Sequence, residues 1–241
     1  MSVPPSDIPL PAPNPPAPRM PWSVRDTWLG LGLLVLIQIL IVGFVVEFKP
    51  VKIYGSLGVT LLECIYIIPV VIILTWRRAD WKLLGFRRFD RRMIGVGCGL
   101  LMTTYLIVFL NNAIFVLLGK NIQTYEIMRL LGTLPSPYSF VIAAVFLAPL
   151  VEESFFRGFL FTGFRQRYGW KWAAGLSSAF FAILHLELSV LIPTFLLGFV
   201  FSYLYEKSNS ILPGMLLHFL VNSFALTVIL LLPHLSGAIP R

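Results

Sequence analysis

Glu152-Glu153-Ser154-Phe155-Phe156-Arg157 lies inside an apolar run from about Tyr138 to Phe164, and its reading decides the fold. The run is long enough to cross a bilayer as a helix. Carboxylates at that depth cost several kcal/mol unless they are paired or wetted, so they mark a functional site. Two later apolar segments repeat the pattern. Phe181 and His185 lie four residues apart in one, and His218 and Asn222 lie four apart in the last. Three polar clusters on three apolar segments predict one buried site inside a helical bundle.

The composition agrees. Of 241 residues, 57% are hydrophobic and only 12% charged, against roughly 25% charged in soluble domains. The mean hydropathy is +0.84. The apolar runs have helical length, not the ~10-residue alternation of an outer-membrane barrel. The expected fold is therefore an all-α integral membrane protein, a bundle of about seven transmembrane helices with a range of six to eight. The spans fall at about 27–47, 56–76, 93–118, 138–164, 171–187, 189–205 and 211–232. Pro137 and Pro213 sit where a first helical turn tolerates a missing N–H. Gly119 and Gly169 sit just past helix ends, where a left-handed cap is common.

Residues 1–22 are rich in proline and contain no apolar signal core, so they are expected to form a disordered tail without a cleavable leader. Residues 23–241 then form the transmembrane domain, with the chemistry in about 138–225. Cys64 and Cys98 have neither metal-site nor disulfide spacing, and both read as buried packing residues.

Most of the 19 Lys and Arg flank the spans on one side: Arg19 and Arg25, the group from Arg77 to Arg92, Arg165 to Lys171, and Lys207. By the positive-inside rule this side, with the N-terminus, is cytoplasmic. The net charge of +8 is thus mostly topology and does not indicate a nucleic-acid partner. Within Trp81–Arg92, the residues Trp81, Leu83, Leu84 and Phe86 are expected to face acyl chains of the bilayer. His218 lies about two turns from the basic end of its span, which predicts a site opening toward that side.

Glu153 and Arg157 are spaced i,i+4 and can pair on one helix face. Glu152 is rotated by about 100° from Glu153 and is expected to face the cavity. Counted at 1.5 Å per residue, Glu152 and His185 lie roughly 20 Å from the basic end, and Asn222 roughly 16 Å. A carboxylate and an imidazole can share a water and take its proton as it attacks a carbonyl. A second imidazole and an amide can donate to the oxyanion that forms. Alternatively, Glu152, His185 and His218 can serve as three zinc ligands with an open fourth position. There is no His-Glu-x-x-His zinc motif and no Gly-x-Ser-x-Gly nucleophile motif, and all four aspartates lie outside the spans. Glu63, a further acid inside span two, lacks a partner at helical spacing and reads as a helix–helix hydrogen bond. Asn111 and Asn112 are weaker candidates for the cavity wall.

In this order, Glu152-Glu153-x-x-x-Arg157, Phe181-x-x-x-His185 and His218-x-x-x-Asn222 resemble the CPBP family. That family groups the type II CAAX prenyl proteases with bacteriocin-processing and immunity membrane proteins. The resemblance covers roughly residues 138–225 and implies an intramembrane endopeptidase. Glu152 and His185 would activate the water, and His218 and Asn222 would form the oxyanion site. Glu153, Arg157 and Phe181 would support them. The family has been described both as metalloproteases and as metal-free glutamate proteases. Asn222 suits an oxyanion donor better than a zinc ligand, so no cofactor is favoured and zinc is the alternative. The implied partner is a membrane-associated peptide or protein; a prenylated CAAX protein is one branch of the family, and nothing in the sequence indicates it. Two competing readings are a non-catalytic immunity or scaffold protein of the same fold and an ion-coupled transporter with a Glu152–His185 proton relay. The intact polar set argues against the first, and the short chain without a visible repeat argues against the second.

Overall fold

The computed structural model describes residues 19–48, 63–120, 122–134 and 137–236. Helix α1 (Val24–Phe48) begins at a reciprocal cap. The Ser23 backbone N–H donates to the Asp26 carboxylate at 2.7 Å, and the Asp26 N–H donates back to Ser23 Oγ at 3.3 Å. This satisfies two of the N–H groups that a helix start leaves without partners. The other Asp26 oxygen accepts from Arg77 Nη2 at 2.6 Å. The start of α1 is thereby tied to the end of α2 (Ile67–Trp76), which is entered through the 3₁₀ turn Cys64–Tyr66.

Helix α3 (Arg92–Leu117) is long and apolar, whereas α4 (Gln123–Thr133) is short and amphipathic. The chain then runs from Tyr138 to Ile183 without leaving helical geometry until Gly169. Along it, α5 (Tyr138–Ile142), α6 (Ala148–Glu153) and α7 (Thr162–Ile183) alternate with wide π turns at Ala143–Leu147 and Ser154–Phe161. Helices α8 (Leu191–Ser208) and α9 (Leu212–Ser236) complete the bundle. No strand occurs among the described residues.

The protein is all-α, as expected. Five stretches are long and apolar enough to cross a membrane: Val24–Phe44, Arg92–Leu117, Tyr138–Ile183, Leu188–Ser208 and Leu212–Leu231. The 46-residue stretch Tyr138–Ile183 contains two expected spans, separated at Gly169, whose φ of 73° breaks the helix. The shorter apolar helix Cys64–Trp76 is the described part of the second expected span. Gly119 also adopts the left-handed conformation expected of a cap, at φ 66°. Helix α4 was not anticipated.

The basic segments meet at one end of the bundle. The Met20 N–H donates to Gln166 Oε1 at 3.1 Å, and Trp22 Nε1 donates to the Phe159 carbonyl at 3.3 Å. Arg165 pairs with Glu206 at 2.8 Å, and Ser210 Oγ donates to the Arg87 carbonyl at 2.7 Å. A Cβ on Gly158 would sit 2.9 Å from the Leu84 carbonyl oxygen, so only glycine admits the loop this closely. At the opposite end, Asn111 Nδ2 donates to the Ser189 carbonyl at 2.7 Å, and the Gln123 N–H donates to Ser189 Oγ at 3.1 Å.

The core is aromatic, with Trp22, Phe155, Phe156, Phe159, Phe164 and Phe181 all buried. Large apolar side chains such as Leu40, Phe109, Leu117 and Phe224 are exposed on the outer helices. A surface of that kind suits lipid. Trp81 and Phe86 are exposed, as expected of the basic loop, but Leu84 is fully buried in the notch at Gly158. Cys98 is exposed and Cys64 half-buried, so neither is the core residue that the sequence suggested. Of the expected tail, residues 1–18 lie outside the described residues, while Met20 and Trp22 are buried in the core.

Candidate active site

The site is built on a buried charge pair. Arg157 Nη1 donates to Glu153 Oε1 at 2.8 Å, and both residues are fully buried. The i,i+4 pairing survives although the wide turn Ser154–Phe161 begins between them. Two glycines on neighbouring helices leave space for these groups. A Cβ on Gly198 of α8 would lie 3.0 Å from Arg157 Nη2, and one on Gly214 of α9 would lie 3.3 Å from Glu153 Oε2. Arg157 Nε and Nη2 have no hydrogen-bond partner. The guanidinium carbon instead sits 4.4 Å from the Phe181 ring centroid, 5.3 Å from that of Phe201 and 5.8 Å from that of Phe156. Aromatic faces attract a cation by about 2 kcal/mol or more where water is excluded, which offsets part of the missing hydrogen bonding.

His218 extends this network toward Glu152. Its Nδ1 is 3.2 Å from Glu153 Oε1, and its Nε2 is 3.6 Å from Glu152 Oε2. The carboxylate of Glu153 makes Nδ1 the donor, so this bond fixes the ring orientation. The Phe201 ring stacks on the imidazole at 5.4 Å, and Phe181 meets it edge-on at 5.9 Å. Phe181 also packs against the His185 ring at 4.8 Å. His185 Nδ1 lies 2.6 Å from the Phe181 carbonyl. A carbonyl can only accept, so Nδ1 carries the hydrogen and Nε2 keeps its lone pair. Asn222 Nδ2 donates to the Ala144 carbonyl at 2.8 Å, inside the wide turn Ala143–Leu147. A regular turn there would leave that carbonyl to the helix.

Glu152, Phe181, His185, His218 and Asn222 all line one cavity of about 540 Å³, whereas Glu153 and Arg157 do not. The adjacent glutamates therefore project differently, as their 100° offset predicts. The lining extends away from the side on which the opening is expected. The wall runs from Phe201 and His218 to Ile122, Thr124 and Leu186, at the end away from the basic loops. His185 lies two residues past the end of α7 at that far end, and Gln123, Thr124 and Ile127 of α4 line the cavity there.

Among the described residues, no three His, Cys, Asp or Glu side chains are placed to hold one metal ion. Glu152 and His218 approach each other, but His185 does not complete a ligand set with them. Asn112 lines the cavity, as one of the two candidate asparagines, whereas Gln38 and Tyr66, also from the first half of the chain, were missed, and Glu63 lines the cavity without the expected helix–helix hydrogen bond among the described residues. Gln38 Nε2 donates to the Tyr66 hydroxyl at 3.3 Å. The only available sequence signal was the presence of Gln38 and Glu63 in apolar spans. Asn111, the other asparagine of that pair, instead bonds the Ser189 carbonyl.

Part of this chain is similar to a family of membrane proteases. Residues 134–224 match the family model described as Type II CAAX prenyl endopeptidase Rce1-like, and all three motifs fall inside that stretch. The resemblance read from the motifs is thus found over this segment. Over 84 residues, 35% of this chain, there is 29% identity to "Putative membrane peptidase YdiL" of Bacillus subtilis (strain 168), covering 34% of that protein. Over 179 residues, 72% of this chain, there is 26% identity to "UPF0177 protein YxdF" of Lactococcus lactis subsp. lactis (strain IL1403), covering 98% of it. No solved structure matches.

Removing one partner of the buried pair strands the other charge. Glu153→Gln and Arg157→Ala are each expected to cost about 3–5 kcal/mol of stability. Thermal unfolding of the purified variants in detergent checks this; midpoints equal to wild type would contradict it.

Proposed function

We propose that this chain is an intramembrane endopeptidase that hydrolyses a peptide bond of a membrane-associated protein or peptide. The observation that carries the reading is that Glu152, His185, His218 and Asn222 share one cavity wall. Glu152 and His185 Nε2 hold a water between them, and Glu152 takes its proton as the oxygen adds to the carbonyl carbon. The carbonyl electrons move to oxygen, and the oxyanion accepts from Asn222 and from His218 Nε2–H. Asn222 has a second N–H beyond the one given to Ala144. His218 must carry a hydrogen on both ring nitrogens, because Nδ1 is committed to Glu153. In that state two carboxylates, Glu152 and Glu153, face two cations, His218 and Arg157, and the buried network is neutral. The tetrahedral intermediate collapses as Glu152 passes its proton to the leaving nitrogen. The products are a free amine and a carboxylate.

No metal takes part in these steps, and zinc held by Glu152, His185 and His218 is the alternative. Glu152→Gln is expected to abolish cleavage without unfolding the protein. Asn222→Ala is expected to lower kcat by about 10²–10³, the usual loss for one oxyanion donor. Proteolysis of a peptide library by the purified protein, with and without exhaustive chelation, measures both. Wild-type turnover in Glu152→Gln would remove its role as base. Activity that is lost with about one zinc per chain and returns with it would replace the metal-free mechanism.

The basic loops that gather at one end support an orientation with the N-terminus in the cytoplasm. The cavity's far end, at Ile122, Thr124 and Leu186, then faces away from it. With Cys64 and Cys98 replaced, Leu118→Cys is expected to react with an impermeant maleimide on intact cells. Arg88→Cys is expected to react only after permeabilisation. The reverse pattern would invert the topology.

A further inference from the structure

The cavity wall is electrostatically one-sided. Among the described residues its lining includes the carboxylates of Glu63 and Glu152 and no Lys or Arg, although the chain as a whole carries a net charge of +8. The other buried acids are matched: Glu153 by Arg157 at 2.8 Å, and Glu152 by His218 at 3.6 Å. Glu63 makes no hydrogen bond or ion pair among the described residues. It sits at the N-terminal end of the apolar helix Cys64–Trp76, about 20 Å from the basic end and so level with Glu152. Glu63, Tyr66 and Glu152 line the same cavity. Gln38 donates to the Tyr66 hydroxyl at 3.3 Å, which fixes the ring beside Glu63. A carboxylate on a cavity wall without a cationic partner is costly, and a cation in the bound ligand relieves that cost.

We infer that Glu63, Tyr66 and Gln38 form an acidic subsite that receives a cationic side chain, Lys or Arg, of the peptide bound at Glu152. The inference rests on the hydrolase reading for the identity of its ligand as a peptide. Glu63 is then a specificity residue contributed by the first half of the chain, outside the stretch that matches the protease family.

The test measures binding separately from cleavage. The full chain in nanodiscs is titrated with fluorescent apolar peptides that differ at one scanned position, which is Lys, norleucine or Glu. The wild-type protein is expected to bind the Lys peptide about tenfold more tightly than its norleucine counterpart at one position, a ratio worth 1.4 kcal/mol. Glu63→Gln is expected to abolish the preference, and Glu63→Asp and Glu152→Gln to retain it. The wild-type ranking needs no variant, so a poorly folding Glu63→Gln does not block the decision. No Lys preference in wild type, an undiminished preference in Glu63→Gln, or its loss in Glu152→Gln would each overturn the inference. Cleavage is scored in parallel. A Lys preference without hydrolysis supports the subsite while counting against the hydrolase.

Discussion

The structure depends on keeping Glu153 and Arg157 paired where neither can reach water. The pair buries two opposite charges at 2.8 Å with no exposure of either group. Everything around it follows from that constraint. Glycines replace side chains on the two helices that approach it, and three phenylalanine rings surround the guanidinium. Because Glu153 is held by Arg157, it also supplies a fixed acceptor for His218 Nδ1, which turns the opposite ring edge toward Glu152. One neutralised pair thereby orients the imidazole that faces the cavity, while Glu152 remains on the cavity wall.

The wide helical turns have a related role. Ordinary α turns would return every backbone group to the helix's own ladder. The widened stretch at Ala143–Leu147 instead lets the Ala144 carbonyl accept from Asn222, joining α9 to the helix that bears the glutamates. Such π turns are uncommon and often mark functional positions. The second widened stretch holds Arg157 and is packed around by buried aromatics, with Gly158 allowing the basic loop to close over it. The polar residues thus sit on a rigid scaffold, and the open space is left on the opposite side.

The three polar motifs were legible in the sequence because i,i+4 spacing survives in any helix and because charge inside an apolar run is conspicuous. The basic face was legible for the same reason. The direction of the cavity was not. Depth counted along separate spans takes no account of α4 or of the fact that α7 stops at Ile183, two residues before His185. Leu84 reads as a lipid-facing loop residue, and only the notch at Gly158 explains its burial. Glu63 has no charged partner at helical spacing: Tyr66 lies three residues on, and Gln38 and Glu152 join the two only through packing of α1, the turn before α2, and α6. The widened turns have no composition that marks them.

The account's central claim is that Glu153 and Arg157 stabilise the site as a unit. A double-mutant cycle on Glu153→Gln and Arg157→Gln, read from unfolding of the purified proteins in detergent, tests it most directly. The account predicts that the double variant is no less stable than the worse single variant, with a coupling of about 3 kcal/mol or more, because removing both charges leaves neither stranded. Losses that simply add would contradict it.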